Sequence, residues 1–183
     1  LTLNATINPD FSQIEADARQ LHINEPFALY FQEKRSFFTE GAEYFSSRIN
    51  AVHTRTMQDP RWGIKLSGKE GSNTIGGYVV RDRVTNILFP GPEGSNASSL
   101  DIDSTAAVLR YKRDFGQNYT LGMLVTNRQG DEYHNQVYGI DGDFRFSRKD
   151  RVHFQVLGSH TQYDKETGMA FGQSLQPFSD SAI

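Results

Sequence analysis

The sequence predicts an all-β protein: a partial, antiparallel up-and-down transmembrane β-barrel with a partly helical insert near residues 26–45. Three observations carry this. Segments alternating apolar and polar residues recur from Leu1 to Ser159. The connectors between them vary between short and long in a regular way. Residues 8–45 crowd carboxylates, a Lys-Arg pair and many aromatic rings into a stretch with the period of neither an amphipathic strand nor a surface helix.

The first segment, residues 1–8, sets Leu1, Leu3, Ala5 and Ile7 on one face and Thr2, Asn4, Thr6 and Asn8 on the other. The insert, residues 9–60, follows as a cap or plug within a single barrel domain spanning 1–183. Pro26 suits an early helical position and Gly41 the end of a turn. Alternation resumes at Arg61, with Trp62, Ile64 and Leu66 opposite Gly63, Lys65 and Ser67. Residues 74–82 form a less regular strand containing Gly76 and Gly77. Residues 104–113 oppose Ala107, Leu109 and Tyr111 to Val108, Arg110 and Lys112. In 118–126, Tyr119, Leu121, Met123 and Val125 share a face. Residues 136–146 set Tyr138, Ile140, Phe144 and Phe146 against Asp141, Asp143 and Arg145, and 151–159 set Val152, Phe154 and Val156 against His153 and Gln155. About seven strands result, most near the roughly 9–11 residues that cross a bilayer when tilted.

The connectors 69–73, 113–118 and 147–150 are short, 83–103 and 160–183 long, and 127–135 intermediate. Barrels of the bacterial outer membrane pair tight periplasmic turns with long external loops. One face would carry Lys65, Arg81, Arg110, Lys112, Asp141, Asp143, Arg145, His153 and Gln155, as a polar lumen does. Tyr111, Phe115, Tyr119, Phe144 and Phe146 would fall at the short-turn end as an interfacial girdle. The insert then hangs from the opposite end, folded over the mouth or dipping into the lumen, where its aromatic rings find a wall. An ordinary soluble sheet, with the same polar face solvated, is the competing architecture.

The 183 residues carry 19 Lys+Arg and 22 Asp+Glu, formally −3, which is no footprint for nucleic acid. Cysteine is absent, which excludes disulfides and thiolate metal sites. The five histidines lack close ligand spacing, and no P-loop, dinucleotide fingerprint or G-x-S-x-G occurs. No apolar run approaches the roughly 20 residues of a membrane helix. The chain begins Leu1-Thr2-Leu3 and ends at Ile183 in a polar stretch, as a piece of a larger protein would.

The blocks NPDF (Asn8, Pro9, Asp10, Phe11), the pair Glu15 and Asp17, EKRSFFTEG (Glu33, Lys34, Arg35, Phe37, Phe38, Glu40, Gly41) and Ser46, Arg48 and Ile49 resemble the C-terminal DUF5916 region of bacterial proteins. Ser36 stands where that pattern has Pro, Ser47 replaces an Arg, and Asn50 replaces a Gly. The resemblance implies an outer-membrane barrel in Gram-negative bacteria, downstream of a carbohydrate-binding domain of the family 9 type. It marks Asn8, Asp10, Phe11, Glu15, Asp17, Glu33, Lys34, Arg35, Phe37, Phe38, Glu40 and Arg48 as structural or binding residues.

Two constellations invite a functional reading. Asp10, Glu15 and Asp17 suit Ca²⁺, a hard cation, but pairing with Lys34, Arg35 or Arg110 explains them more economically. Glu33 and Glu40 suit the two-carboxylate chemistry of glycoside hydrolysis, but a salt-bridged plug is again the simpler account. No catalytic residue, cofactor or metal is therefore expected, and enzymatic activity is left open with a non-catalytic role favoured. The expected function is a pore, transporter or surface receptor in the bacterial outer membrane. Its expected partners are lipid, a carbohydrate ligand and a protein on the long loops. The alternative is a soluble carbohydrate-binding or glycoside-hydrolysing β-sandwich.

Overall fold

The computed structural model describes residues 1–9, 33–54, 57, 59–83, 85–91, 94–100, 103–130, 133–162 and 179–182. Ten strands run through them: β1 (Thr2–Ile7), β2 (Pro60–Glu70), β3 (Asn73–Asp82), β4 (Thr85–Gly91), β5 (Gly94–Leu100), β6 (Ser104–Phe115), β7 (Tyr119–Gln129), β8 (His134–Arg145), β9 (Arg151–Gln162) and β10 (Ser179–Ala182). Eight of them form one sheet in the order β1-β2-β3-β6-β7-β8-β9-β10, and β4-β5 form a separate hairpin. Every pairing is antiparallel between sheet neighbours. The large sheet is thus an up-and-down meander, and it is not closed: β1 and β10 are its edges.

The seven strands expected from alternation are all present, with β10 as a short eighth. β1 pairs with β2 as expected, Leu3 opposite Leu66 and Ile7 opposite Trp62. Two connectors differ from expectation. The long stretch 83–103 contains the β4–β5 hairpin, disguised in the sequence by Pro90, a residue that removes a ladder donor. The connection between β7 and β8 shrinks to residues 130–133, so it is as tight as those at the other end. The alternation of loop length fails at that point.

The two faces of the sheet differ sharply in burial. One face presents Leu3, Trp62, Ile64, Val79, Leu109, Leu121, Met123, Val125, Tyr138, Ile140, Val152 and Val156, all exposed. The other buries Lys65 and Arg110 at 2% and 1% exposure, with Asp82, Ser104 and Arg128. The register explains this: Gly77, Leu109, Val125 and Tyr138 lie in one cross-strand row, and Gly76, Arg110 and Leu124 in the next. A one-residue step exchanges the faces. Arg81 is the exception to the expected polar face. It pairs with Trp62 and Thr105 on the apolar side, where its guanidinium donates to Thr105 Oγ1 at 2.9 Å and Asp103 Oδ2 at 3.3 Å. At the short-turn end Tyr119, Phe144 and Phe146 cluster with ring centroids 5.8 to 6.3 Å apart. The Tyr111 hydroxyl donates to Asn73 Oδ1 at 2.7 Å.

Candidate functional site

The described part of the insert, residues 33–54, lies on the polar face. Its described helical structure is shorter than the sequence suggests: one turn, α1 (Ser36–Thr39), and a 3₁₀ turn (Ala42–Phe45). Gly41 joins them at φ +67°, a left-handed conformation that favours glycine, so the expected turn at Gly41 is present. Pro26, and with it the expected start of the helix, lies outside the described residues. A β-carbon on Gly41 would also stand 2.8 Å from Ser67 Oγ, so the bare backbone is what permits this approach.

The rings of α1 and the 3₁₀ turn dock where the sheet has no side chain. Phe37 sits over Gly63 and Phe45 over Gly76; a β-carbon there would meet the rings at 2.9 and 3.1 Å. This accounts for the irregular look of β3. Phe37, Phe38 and Phe45 are buried with Met57, Tyr78, Val80, Ala106, Val108 and Leu124 in the core between insert and sheet. Phe38 and Phe45 both pack on Tyr78, with centroids 6.0 and 5.3 Å away.

Two cations lock the insert from inside. Arg35 is fully buried. Its Nε donates to Glu33 Oε1 at 2.8 Å and its Nη2 to Glu33 Oε2 at 2.7 Å, while other guanidinium hydrogens reach the Met57 and Thr54 carbonyls. Thr54 Oγ1 also donates to Glu33 Oε2 at 2.7 Å. Burial raises the Glu33 pKa, but the hydrogen bonds from Arg35 and Thr54 outweigh it and hold the carboxyl at about 2. From the sheet, Lys65 Nζ donates to the Phe37 and Glu40 carbonyls, satisfying acceptors at the end of α1. Across the sheet, Gln155 of β9 exchanges hydrogen bonds with the Ile49 backbone, 2.7 Å from its N–H and 3.4 Å from its carbonyl. The described part of the insert, residues 33–54, therefore reaches across the polar face from β1 to β9.

Asn8 ends β1 at φ +45°, its N–H on the Arg61 carbonyl at 2.7 Å and its Oδ1 accepting from Arg83 Nη2 at 2.9 Å. Glu33 and Arg35 form the buried pair just described. Phe37 and Phe38 belong to the core. The Glu40 carboxylate accepts from Asn4 Nδ2 at 2.7 Å. Lys34 and Arg48 are exposed. Asp10, Phe11, Glu15 and Asp17 lie outside the described residues, so the expected Ca²⁺ set does too. Of the partners expected for those carboxylates, Arg35 binds Glu33, and Arg110 binds Asp141 at 2.7 Å through Nη2. No group of three or more metal-ligating side chains occurs among the described residues.

Residues 1–57 match DUF5916, a domain of unknown function. The resemblance expected from the NPDF and EKRSFFTEG blocks is thereby shown over the first strand and the insert. No curated protein and no solved structure matches the chain. The DUF5916 segment supplies most of the site, including Glu33, Arg35 and the three buried phenylalanines. Sequence reasoning missed the sheet's own contribution: Tyr78, Asp82, Ser104 and Arg128. Asp82 accepts the Asp59 N–H at 2.8 Å and lies 3.4 Å from Arg128 Nη2. The usable signal was the strand parity that puts Tyr78, Val80 and Asp82 beside Lys65.

Proposed function

We propose that this chain is part of an outer-membrane β-barrel and that its DUF5916 insert is a plug in the lumen. The observation carrying this reading is the inverted sheet: a broad apolar face left exposed, and a charged face covered by the insert. A water-soluble domain rarely exposes a contiguous apolar surface of this extent. Lipid covers such a face, and a lumen accommodates buried cations. The aromatic cluster at the short-turn end suits the membrane interface. Among the described residues β1 and β10 have unpaired edges, which cannot face hydrocarbon, so the reading requires further strands to close the barrel.

The role that fits is a plugged pore, transporter or surface receptor in a Gram-negative outer membrane, with a sugar-binding domain upstream as the source of its carbohydrate link. The sandwich alternative gains no support: it needs a second sheet packed on the first, and the second sheet among the described residues is the hairpin β4–β5. Heat-modifiable migration of the full-length protein from outer-membrane fractions tests the proposal. A detergent-independent monomer with a cooperative melt overturns it.

A further inference from the structure

Between the insert and the sheet lies a half-open cavity of about 250 Å³. Its walls include Glu33, Phe38, Phe45, Asn50, Lys65 and Tyr78. We propose that this cavity binds a small organic carboxylate, its charge met by Lys65 and its oxygens by the Tyr78 hydroxyl and the Asn50 amide. The inference needs the insert on the sheet and stands whether or not the apolar face meets lipid.

Hydrogen-bond capacity selects the ligand. Glu33 is saturated: Oε1 accepts the Lys34 and Arg35 amides and Arg35 Nε, and Oε2 accepts Arg35 Nη2 and Thr54 Oγ1. What remains unused is mostly donors. Lys65 has three N–H groups and gives two to carbonyls. Among the described residues no carboxylate lies within salt-bridge distance of it, and Glu40 and Glu43 act on it from farther away. Tyr78 is 5% exposed, and its hydroxyl makes no hydrogen bond among the described residues. Asn50 uses its Oδ1 on the Val52 N–H at 3.3 Å, leaving its NH₂ free. A buried ammonium that shares a cavity with the Tyr78 hydroxyl and the exposed Asn50 amide suits a ligand that accepts and carries negative charge.

Shape sets the size. The cavity is below the roughly 300–1,000 Å³ of drug-sized sites, which suits a molecule of a few heavy atoms. Aromatic walls favour an apolar tail. They do not favour a stacked sugar, because ring faces are taken: Arg35 lies 4.5 Å over Phe38, and Phe45 packs on Tyr78.

Titration of the refolded chain with sodium acetate, propionate and butyrate, followed by calorimetry and carboxylate NMR, tests this against sodium chloride at matched ionic strength and against glucose. Saturable binding of the carboxylates is expected, with affinity lowered about tenfold by Tyr78→Phe, as loss of one hydrogen bond to a charged group predicts. Asn50→Asp, at an exposed position, places a negative charge at the rim and weakens binding further. Lys65→Met abolishes binding if it folds, and the other two variants decide the matter if it does not. Absence of saturable carboxylate binding, equal affinity in Tyr78→Phe and Asn50→Asp, or binding of glucose in preference overturns the proposal.

Discussion

Glu33 and Arg35 are two residues apart in sequence and make one buried ion pair, with Thr54 and two backbone carbonyls completing their hydrogen bonds. Truncating one partner of such a pair strands the other charge, at a cost of about 3–5 kcal/mol. Arg35→Met should therefore detach residues 33–54 from the sheet, seen as loss of hydrogen-exchange protection at the Phe38, Thr39 and Glu40 amides. The pair also gives a pH signature. The Glu33 carboxyl is held at about 2 in the folded protein against 4.5 for the free side chain. Folding thus favours its ionised form. The contribution is complete above pH 4.5 and disappears as pH falls through about 2; the shift corresponds to about 3 kcal/mol, lowered by solvent screening of the part-exposed carboxyl. Glu33→Gln should flatten that acid branch of the stability curve, measured as unfolding midpoints between those pH values.

At the scale of elements, α1 and the 3₁₀ turn are too short to hold a conformation alone. Their shape depends on rings seated over glycines in β2 and β3. Gly76→Val should cost about 1–3 kcal/mol by overpacking Phe45. Combining it with Phe45→Ala should recover part of that loss, which a double-mutant cycle of unfolding free energies would register. The strands supply a sharper discrimination. Leu109 is 43% exposed at the middle of the apolar face. If lipid covers it, Leu109→Arg costs about 2–4 kcal/mol; on a surface facing water, such a change stays within roughly 0.5 kcal/mol. Folding yield into bilayers separates the two.

For the whole molecule, the question is whether the insert stays on the polar face or leaves it. The chain has no cysteine, so introduced thiols are unique. A β-carbon at Gly41 would lie 3.5 Å from that of Ser67, within disulfide range. The Gly41→Cys/Ser67→Cys variant should cross-link insert to sheet under oxidation, at a cost of about 1–2 kcal/mol for a non-glycine residue at φ +67°. In the proposed transporter, cross-linking should abolish solute passage in liposome flux assays, and reductant should restore it. Flux unchanged by cross-linking would show that the insert is a fixed wall.

The strands and their faces were legible because strand periodicity is a local property: side chains alternate wherever the chain is extended. The DUF5916 match over residues 1–57 was legible from NPDF and EKRSFFTEG for the same reason, since each block is contiguous. The hairpin β4–β5 was not, because Pro90 breaks the pattern that marks a strand. The sequence left two readings of the polar face, a lumen next to the insert or a solvated outer surface, because alternation is symmetric between inside and outside. The sequence alone determined an alternating meander with an aromatic, charged insert. Tertiary structure decided that Lys65, Tyr78 and Arg110 lie beneath that insert while Leu109 and Ile140 lie bare. The reason is physical: the phenylalanines of the insert can seat only where Gly63 and Gly76 leave room, and those glycines share their face with the charges.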